Sequence, residues 1–493
     1  MAKKNRNEII EKIVSLAKRK GFVFQSSEIY GGLNGCWDYG PLGVELLNNI
    51  KSEWWKAMTY REDVEGLDAA ILMHPKVWEA SGHVENFTDP MIDCKQCKSR
   101  FRLDTLGEMI PEKRKKKALA ALKEAIKDDA EKKNTFDDIE GNFSDLDEIF
   151  ENLLEKIGEG LLAHLNCPNC GTPNSFTAPR SFNLMFKTFL GPVEKLENAI
   201  YLRPETAQGI FVNYLNVQSA SRQKLPFGIA QIGKAFRNEI NTKNFLFRTR
   251  EFEQMEMQYF VKPEEDKEHY DKWKTERIEW FKNLGISKEK LRYHDHPSDK
   301  LAHYAKEAAD IEYLFPFGWG EIEGIHNRTN FDLSRHEEYS GKSQKYFDEA
   351  KKEKYIPYII ETSAGASRSF MAFLVDAYHE EEVKGETRVV LKFHPKLAPI
   401  KVAILPLVNK DGMPKVAKEI EANLRPFMKV FYDSKGAVGR RYRRQDEAGT
   451  PFCVTVDTQT LEDNTVTVRD RDSMEQIRLD KKELLSYILE KLR

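Results

Sequence analysis

The chain has 493 residues, a formal net charge of -2 at pH 7 and a mean hydropathy of -0.60. A chain of this length is expected to divide into two or three domains, each able to bury its own core. The balanced charge excludes the global positive field of a nonspecific nucleic-acid-binding protein, so RNA contacts must come from local patches. No apolar run approaches a membrane span, and the first residues lack a signal-peptide core. Composition therefore predicts a soluble cytoplasmic protein.

The N-terminal region predicts two helices separated by a glycine-rich loop. Residues 7–20 carry apolar side chains at helical spacing, and Gly21 is suited to end that helix. Pro41 begins a second helix, whose apolar residues fall on one stripe as far as Trp54. Periodicity alone predicts a core helix here.

Four of the six cysteines form two CxxC pairs, Cys94 with Cys97 and Cys167 with Cys170. Two such knuckles present four thiolates, a set that suits tetrahedral zinc. They are separated by 69 residues, but they need only meet in space to form one site. We predict structural zinc, since all four coordination positions would be filled, with four free thiols as the alternative.

Between the knuckles, residues 111–159 are rich in Lys, Glu and Asp, with Ala and Leu at helical spacing. This composition predicts a solvated helical insertion. The basic run Lys113–Lys117 could contact RNA backbone, but such a run is usually a solvated face. Contact with RNA is therefore the minor alternative. Further on, Glu205 lies in an apolar setting, where a carboxylate needs a partner.

The stretch from Phe236 to Phe260 interleaves charged and aromatic residues at a two-residue period. It predicts a short strand from Phe236 to Ile240, a polar loop at 241–244 and a longer return strand. Arginine forks suit phosphate oxygens, and an aromatic ring between them suits a purine base. A salt-bridged surface strand is the alternative, which the full pattern disfavours. Alternation places these residues on one face: Arg248, Arg250, Phe252, Gln254 and Glu256.

Two later segments also suit phosphate chemistry. Glu321 and Glu323 are predicted to share one face of a strand, an arrangement that could hold magnesium through phosphates. Residues 357–382 predict a strand, a small-residue turn at 363–366 and a helix beginning near Arg368. Glycine lets backbone approach a ligand closely, and a helix start offers N–H groups to phosphate.

The last hundred residues predict a separate small domain, because strands alternate with helices after a proline-containing linker at 394–399. Within it, residues 439–451 place four arginines around Tyr442 in a predicted loop. Arginine with an aromatic residue is typical of sites that bind single-stranded RNA.

Taken in order, three of these segments resemble the signature motifs of class II aminoacyl-tRNA synthetases. FRNE at 236–239 and RTREFEQME at 248–256 resemble the second motif. Pro41 with its helix resembles the first, and the turn before Arg368 resembles the third. The wording FRTREFEQME most closely resembles glycyl-tRNA synthetases of the dimeric type. The resemblance covers nearly the whole chain except residues 111–159.

This resemblance implies an α+β fold, with the class II antiparallel sheet flanked by helices. Residues 1–393 would form the catalytic domain, with an insertion over about 94–180 that carries both knuckles and the charged helical segment. Residues 394–493 would form an α/β anticodon-binding domain. The resemblance also implies a homodimer, Mg²⁺ accompanying ATP, and glycine, ATP and tRNA(Gly) as substrates.

The family implies a function for each matching residue. Arg237 would bind the α-phosphate and Arg368 the γ-phosphate as catalytic residues, while Phe252 would stack on adenine. The implied ATP site comprises Arg237, Asn238, Glu239, Phe247, Arg248, Thr249, Arg250, Glu251, Phe252, Glu321, Ile322, Gly365 and Arg368. The implied amino-acid site comprises Arg100, Glu205, Phe252, Glu253, Gln254, Glu256, Glu361, Ser363 and Gly365.

Two alternatives stay open on the sequence. One is a class II synthetase for threonine, proline or serine, which the wording FEQME and ETSAG disfavours. The other is a non-catalytic relative that binds nucleic acid, which should have lost the arginines that are present at 237 and 368. Selectivity for glycine would follow if the acidic pocket residues crowd the ammonium group and leave no space for a side chain.

Overall fold

The computed structural model describes residues 2–242, 244–302 and 304–492. In these ranges the helices are α1 (Ala2–Lys20), α2 (Pro41–Thr59), α3 (Lys76–Ala80), α4 (His83–Asn86), α5 (Glu112–Ala125), α6 (Ala130–Asn142), α7 (Leu146–Leu162), α8 (Ala207–Ser221), α9 (Asp266–Asn283), α10 (Phe331–Ser340), α11 (Ala366–Ala377), α12 (Met413–Leu424), α13 (Val438–Ala448), α14 (Thr458–Asp463) and α15 (Leu484–Lys491). None of these described helices has the length and apolar character needed to cross a membrane.

The strands in the same ranges are β1 (Val23–Gln25), β2 (Trp37–Tyr39), β3 (Val64–Gly66), β4 (Thr88–Asp93), β5 (Arg100–Arg102), β6 (Arg180–Asn183), β7 (Lys187–Phe189), β8 (Ala199–Tyr201), β9 (Phe227–Phe236), β10 (Glu251–Val261), β11 (Leu291–Asp295), β12 (Glu307–Phe315), β13 (Gly318–Thr329), β14 (Tyr346–Asp348), β15 (Glu353–Tyr355), β16 (Tyr358–Gly365), β17 (Tyr378–Val383), β18 (Glu386–Leu391), β19 (Val402–Pro406), β20 (Val430–Tyr432), β21 (Phe452–Val456), β22 (Thr465–Asp470) and β23 (Gln476–Asp480). The chain forms two compact units. Unit 1 comprises 1–73, 205–235 and 243–493, and unit 2 comprises 74–204 and 236–242.

A seven-stranded sheet is the centre of unit 1, in the order β11-β12-β13-β16-β10-β9-β3. β3 pairs with β9 in parallel, whereas β11 to β10 pair successively in antiparallel fashion. One face packs on helices α2, α9 and α11 through buried residues such as Trp54, Trp273, Phe370 and Met257. The predicted α+β fold, an antiparallel sheet flanked by helices, is confirmed, and the opposite face of the central strands is left for polar side chains.

Helix α2 shows why the sequence around Pro41 folds as predicted. Pro41 occupies the first turn, where its missing N–H costs nothing. A Cβ atom on Gly43 would lie 1.7 Å from the Phe22 carbonyl oxygen, so only glycine fits against that backbone. The buried stripe of α2 includes Ile50 and Trp54. The helix is thereby fixed against the segment that precedes it.

The predicted strand from Phe236 to Ile240 is wrong. β9 ends at Phe236, and β10 begins only at Glu251. Asn244 and Phe245 have φ values of 60°, which a strand does not allow. The Arg250 N–H donates to the Gly35 carbonyl at 2.8 Å, so local contacts hold the connection rather than a strand ladder. Arg248 and Arg250 therefore precede the strand and do not share its alternation.

Unit 2 contains the helical insertion that the composition of residues 111–159 predicts. Helices α5, α6 and α7 pack around buried Leu122, Phe150 and Leu153. β4 pairs with both β5 and β6 in an antiparallel sheet. Lys115, in the middle of the basic run, is buried against Asp147 at 2.5 Å and over the Phe150 ring. One lysine of that run is therefore a packing residue.

The C-terminal region folds around a five-stranded sheet in the order β20-β19-β21-β22-β23. β19 pairs in parallel with β20 and β21, and the other pairs are antiparallel. The loop predicted over 439–451 is wrong, because Val438–Ala448 form helix α13. Arg441 and Gln445 are buried on one face of α13, one turn apart. Arg441 donates to the Pro406 and Asp433 carbonyls at 2.7 and 3.0 Å, so it is a structural residue.

Candidate active site

The polar face of the main sheet in unit 1 is built by two neighbouring strands, β10 and β16. Gln254 lies opposite Gly365, and Glu256 lies opposite Ser363. Directly paired residues of neighbouring strands share a face, so the predicted amino-acid-site residues on these strands are adjacent. Gln254 Nε2 donates to Ser363 Oγ at 3.3 Å, and Gln254 Oε1 accepts from the Thr206 N–H at 3.1 Å. The carboxamide of Gln254 is thus fixed at both ends.

Glu361 is the most strongly partnered carboxylate of this face. His326 Nδ1 lies 2.8 Å from one of its oxygens, while Arg328 and Gln258 donate to the other at 3.0 and 2.7 Å. Burial opposes ionisation, but Arg328 and His326 lower the pKa of Glu361 to about 2. Glu361 is therefore a fixed anion at neutral pH.

Glu256 lies on the same face with different partners. It accepts hydrogen bonds from the Thr206 hydroxyl and, at 3.1 Å, from Gln258 Nε2, both of which are neutral donors. Burial, followed by the charges of Glu361 and Glu205, raises the pKa of Glu256 well above its usual range. A cationic group placed among these carboxylates would relieve their mutual repulsion. The arrangement therefore suits an ammonium group.

A layer of hydrogen-bonding groups surrounds these carboxylates. Gln208 Nε2 donates to Glu205 Oε1 at 3.0 Å, which gives Glu205 the partner that its sequence setting requires. Arg328 binds Asp332 through two donors at 2.8 and 3.0 Å. Sequence reasoning missed His326, Arg328, Gln208, Gln258 and Asp332. The alternation that identifies Gln254 and Glu256 extends to Gln258, and His326 alternates with Arg328 along β13, whereas the two helical residues carry no such signal.

A second cluster of predicted residues forms at the start of α11. Arg368 lies in the first turn, and its guanidinium carbon lies 4.5 Å from the centre of the Phe247 ring. It donates to the Phe247 carbonyl at 3.1 Å and lies 2.8 Å from a Glu321 carboxylate oxygen. The structure thus brings Phe247, Glu321 and Arg368 together, with Gly365 immediately before the helix.

The prediction that Glu321 and Glu323 share one face is wrong. Glu312 of β12 lies opposite Glu321, but the adjacent Ile311 lies opposite Glu323, so Ile322 is the extra residue of a β-bulge. Ile322 itself is buried in the core. The side chain of Glu323 is 0% exposed and binds Arg277 of α9 at 2.7 Å, whereas that of Glu321 is 44% exposed. Only Glu321 remains available to a ligand.

The first residues of β10 divide between the two faces. Phe252 alternates with Gln254 and Glu256, whereas Glu251 and Glu253 point the other way and bind Lys234 and Lys51 at 2.8 and 3.1 Å. The structure therefore does not bring the Glu251 and Glu253 side chains to the face of Glu256. A cavity of about 310 Å³ lies beside these residues, lined by Cys36, Trp37, Asp38, Tyr39, Lys234, Thr249, Glu251, Phe252, Glu253 and Ser367.

Arg248, Thr249 and Arg250 lie in the connection before β10. Thr249 is buried, and its hydroxyl donates to the Glu251 carbonyl at 3.1 Å. Arg250 donates to the Asn34 carbonyl, so its guanidinium is attached to the glycine-rich loop before β2. Arg248 is half-buried.

Four predicted residues belong to unit 2. Arg237 Nε donates to the Pro204 carbonyl at 3.0 Å, and its guanidinium lies over the Phe87 ring. The Asn238 N–H donates to the Leu184 carbonyl at 2.7 Å. Glu239 is buried, with a carboxylate oxygen 3.9 Å from Arg102. Arg100, on β5, is mostly exposed and lies 3.5 Å from Asp93.

The two cysteine pairs, 69 residues apart in sequence, meet in unit 2. The four sulfur atoms lie within 4.8 Å of one another, and Cys94–Cys170 and Cys97–Cys167 are each separated by 3.7 Å. Hydrogen bonds from Ser99 lower the pKa of Cys97 to about 6, whereas burial raises that of Cys167 to about 12. Ligands of a tetrahedral zinc ion at about 2.3 Å lie about 3.8 Å apart, so the four thiols fit that ion.

Comparison with known proteins agrees with this geometry. Residues 186–378 match the model of the tRNA synthetase class II core domain (G, H, P, S and T), and residues 401–491 match the anticodon binding domain. A prolyl-tRNA synthetase from Cryptosporidium parvum, solved with halofuginone and AMPPNP, shares the fold with a TM-score of 0.60 at 15% identity. The alignment covers 97% of this chain and 74% of that one.

Proteins related by sequence are far more similar to this chain than that structural match. The glycine–tRNA ligase of Treponema denticola is 56% identical over 97% of this chain and 96% of its own. Glycine–tRNA ligases of Borreliella burgdorferi strain B31 and Caldanaerobacter subterraneus are 54% and 52% identical, covering 97% and 98% of this chain and 96% and 98% of their own. At this identity over nearly the full length, the chain belongs to the glycine–tRNA ligase family of class II aminoacyl-tRNA synthetases.

Proposed function

We propose that this chain attaches glycine to tRNA(Gly) in two steps. The glycine carboxylate attacks the α-phosphorus of ATP, forming glycyl-adenylate and releasing pyrophosphate. The terminal adenosine hydroxyl of the tRNA then attacks the carbonyl carbon of the adenylate and takes the glycyl group as AMP leaves. The carboxylate cluster of Glu205, Glu256 and Glu361 is the observation that carries this proposal, because it suits a small ammonium-bearing substrate.

The amino-acid pocket selects glycine by charge and by volume. Glu205, Glu256 and Glu361 attract the ammonium group, and Ser363 adds a hydroxyl beside Gln254. Because these side chains crowd the α-carbon, a larger amino acid finds no space, and editing is unnecessary. Phe252, Gln254 and Gly365 complete the pocket, and the family resemblance also assigns Arg100 to amino-acid binding.

Adenylate formation needs positioned positive charge rather than a nucleophilic side chain. Arg237 binds the α-phosphate and Arg368 the γ-phosphate, while Phe252 stacks on adenine and Arg248 and Arg250 add positive charge. Glu321 would help to hold the Mg²⁺ that accompanies ATP, and the ion would supply further charge neutralisation. The contact of Arg368 with Phe247 and Glu321 supports this assignment, since it fixes the guanidinium before ATP arrives. By family resemblance we also assign Asn238, Glu239, Thr249, Glu251 and Ile322 to ATP binding. The side chain of Ile322 is in the core, so only its backbone can serve this role.

ATP–pyrophosphate exchange with each of the twenty amino acids, without tRNA, tests this function. Exchange with glycine alone is the expected result. Exchange with a different amino acid would overturn the pocket assignment, and absence of exchange would favour a non-catalytic relative. Arg237→Ala should slow exchange by about 100-fold, as the loss of one oxyanion donor does.

The four cysteines of unit 2 are proposed to hold a structural zinc ion. All four positions of the ion would be occupied by Cys94, Cys97, Cys167 and Cys170, which leaves none for a substrate. The 3.7 Å sulfur separations support this assignment. Metal analysis of the purified chain should find one zinc per chain, and Cys97→Ser should lose it. Purified protein without bound zinc would contradict the assignment.

We also propose that the chain acts in the cytoplasm as a homodimer. The loop between β1 and β2 supports the dimer, since Ile29 and Tyr30 are 89% and 87% exposed and Leu33 is also exposed. Exposed apolar groups this close together are typical of an interface. Sedimentation velocity should give twice the chain mass, and Tyr30→Asp should shift the population toward monomer. An unchanged dimer in that variant would place the interface elsewhere.

For tRNA, we propose that the region matching the anticodon binding domain contacts the anticodon arm. Arg440 and Arg444 of α13 are exposed, whereas Arg441 is buried. Arginine side chains on an exposed helix face suit phosphate contacts. Arg444→Ala should raise KM for tRNA while leaving ATP–pyrophosphate exchange unchanged. An effect on exchange alone would contradict this role.

A further inference from the structure

Two buried glutamines occupy equivalent positions beneath the acidic pocket. Gln258 Nε2 donates to Glu256 at 3.1 Å and to Glu361 at 2.7 Å. Gln208 Nε2 donates to Glu205 at 3.0 Å and to Asp332 at 3.2 Å. Both residues are 0% exposed. Each carboxamide nitrogen therefore links two carboxylates that would otherwise repel each other.

The orientation of Gln208 is fixed by a third group. His336 Nε2 lies 2.8 Å from Gln208 Oε1, which can only accept, so the imidazole must carry its hydrogen on Nε2. Burial lowers the pKa of His336, and the neutral ring therefore suffices as the donor. With its oxygen engaged, Gln208 can present only its NH₂ group to Glu205 and Asp332. Hydrogen bonds therefore connect His336 of α10, through Gln208 of α8, to the carboxylates of the pocket.

In its bridging orientation, the Gln258 side chain leaves one of its own polar atoms without a hydrogen bond. Its carbonyl oxygen is buried without a hydrogen-bond partner in the part of the chain that the structure describes. An unsatisfied buried acceptor is costly, and turning the amide around would place that oxygen against two carboxylates. The orientation is therefore set by Glu256 and Glu361 rather than by Gln258 itself.

The charge balance of the pocket explains why amides, rather than basic side chains, occupy these positions. Glu205, Glu256, Glu361 and Asp332 face Arg328 and His326 as their cationic partners. A lysine at either glutamine position would neutralise the charge that attracts an ammonium group. A carboxamide donates hydrogen bonds to carboxylates without adding net charge. It can therefore hold an acidic pocket in place and keep it acidic.

We propose that Gln208 and Gln258 are positioning residues that hold Glu205, Glu256 and Glu361 in the geometry that binds the amino-acid ammonium group. This inference rests on the proposed function. It assigns the two glutamines no contact with glycine. They act through the carboxylates that they bridge.

The test replaces each donor by a group of similar volume. Gln258→Met and Gln208→Met remove the bridging N–H groups, and Gln258→Glu and Gln208→Glu put a carboxylate in their place. Gln218→Glu is a matched control on α8, because Gln218 donates to the Gln223 carbonyl and contacts no pocket carboxylate. Glycine-dependent ATP–pyrophosphate exchange gives KM for glycine, KM for ATP and kcat, and calorimetry gives glycine affinity without ATP.

We expect each Met variant to raise KM for glycine by about 10-fold or more, as loss of a hydrogen bond to a charged group does. The Glu variants should raise it further, since they add repulsion, while KM for ATP stays within about twofold of wild type. Calorimetry should show the same loss of glycine affinity. Gln218→Glu should match wild type.

Three results would distinguish failure of the proposed function from failure of the positioning role. Wild-type protein without glycine-dependent exchange would overturn the proposed function itself. Wild-type activity with unchanged KM for glycine in all four variants would overturn only the positioning role. A parallel rise in both KM values, accompanied by lower melting temperature, would show that the glutamines contribute only to folding and would also overturn it.

Discussion

The β-bulge at Ile322 places two neighbouring glutamates in different environments, with Glu323 buried and Glu321 partly exposed. Glu323 binds Arg277 at 2.7 Å, and the two side chains are 0% and 2% exposed. Glu323→Gln keeps the shape but leaves the Arg277 charge buried without its counter-ion. Breaking a buried pair from one side costs about 3–5 kcal/mol. Glu321→Gln removes a partly exposed contact with Arg368, and such pairs contribute at most about 1 kcal/mol.

Chemical denaturation and exchange kinetics together measure this contrast. Glu323→Gln should lower the free energy of unfolding by about 3–5 kcal/mol and leave KM for ATP near wild type under conditions where the variant is folded. Glu321→Gln should keep stability within about 1 kcal/mol of wild type and raise KM for ATP. Arg277→Met combined with Glu323→Leu tests whether the pair can be replaced by apolar packing. A rise in KM for ATP in Glu323→Gln, without loss of stability, would refute the assignment of this residue to the core.

Further predictions concern the pocket, the metal site and α2. A Cβ on Gly324 would lie 2.8 Å from the His326 ring, so Gly324→Ala should displace His326 and raise KM for glycine about 10-fold in exchange assays. Because burial and nearby carboxylates raise the pKa of Glu256, its protonation should raise KM for glycine as the pH falls, with KM for ATP unchanged; a flat profile would contradict this. Cys97→Ser should lower the melting temperature of unit 2 helices followed by circular dichroism, and a strong chelator should do the same to wild type. Gly43→Ala should destabilise the chain by more than about 3 kcal/mol in denaturant titrations, since its Cβ has no space.

The local sequence was sufficient to predict elements that form independently of their neighbours. Pro41 and the apolar stripe after it predict α2, and charge with helical spacing predicts the insertion helices. The alternation of Phe252, Gln254 and Glu256 predicts one face of β10, because side-chain period 2 is a property of any strand. Class II resemblance, carried by short motifs in order, predicted the fold and the family that the relatives confirm.

Features that depend on neighbouring elements were not predictable from the sequence. Strand alternation placed Glu321 and Glu323 on one face, and only pairing with β12 reveals the bulge that separates them. Val438–Ala448 form a helix in which Arg441 and Gln445 are buried together on one face. Burial of an arginine is not predictable from an arginine-rich sequence.

The acidic pocket also combines features that the sequence predicts with features that depend on neighbouring elements. Its carboxylates were identified from the sequence because strand spacing and motif resemblance single them out. The bridging of those carboxylates by Gln208 and Gln258 depends on residues from α8, β10, β16 and α10 meeting in space. Sequence determines which groups are present and how they alternate along one strand. Tertiary structure decides which charges lie within hydrogen-bond reach, because burial and distance set the energies of those charges.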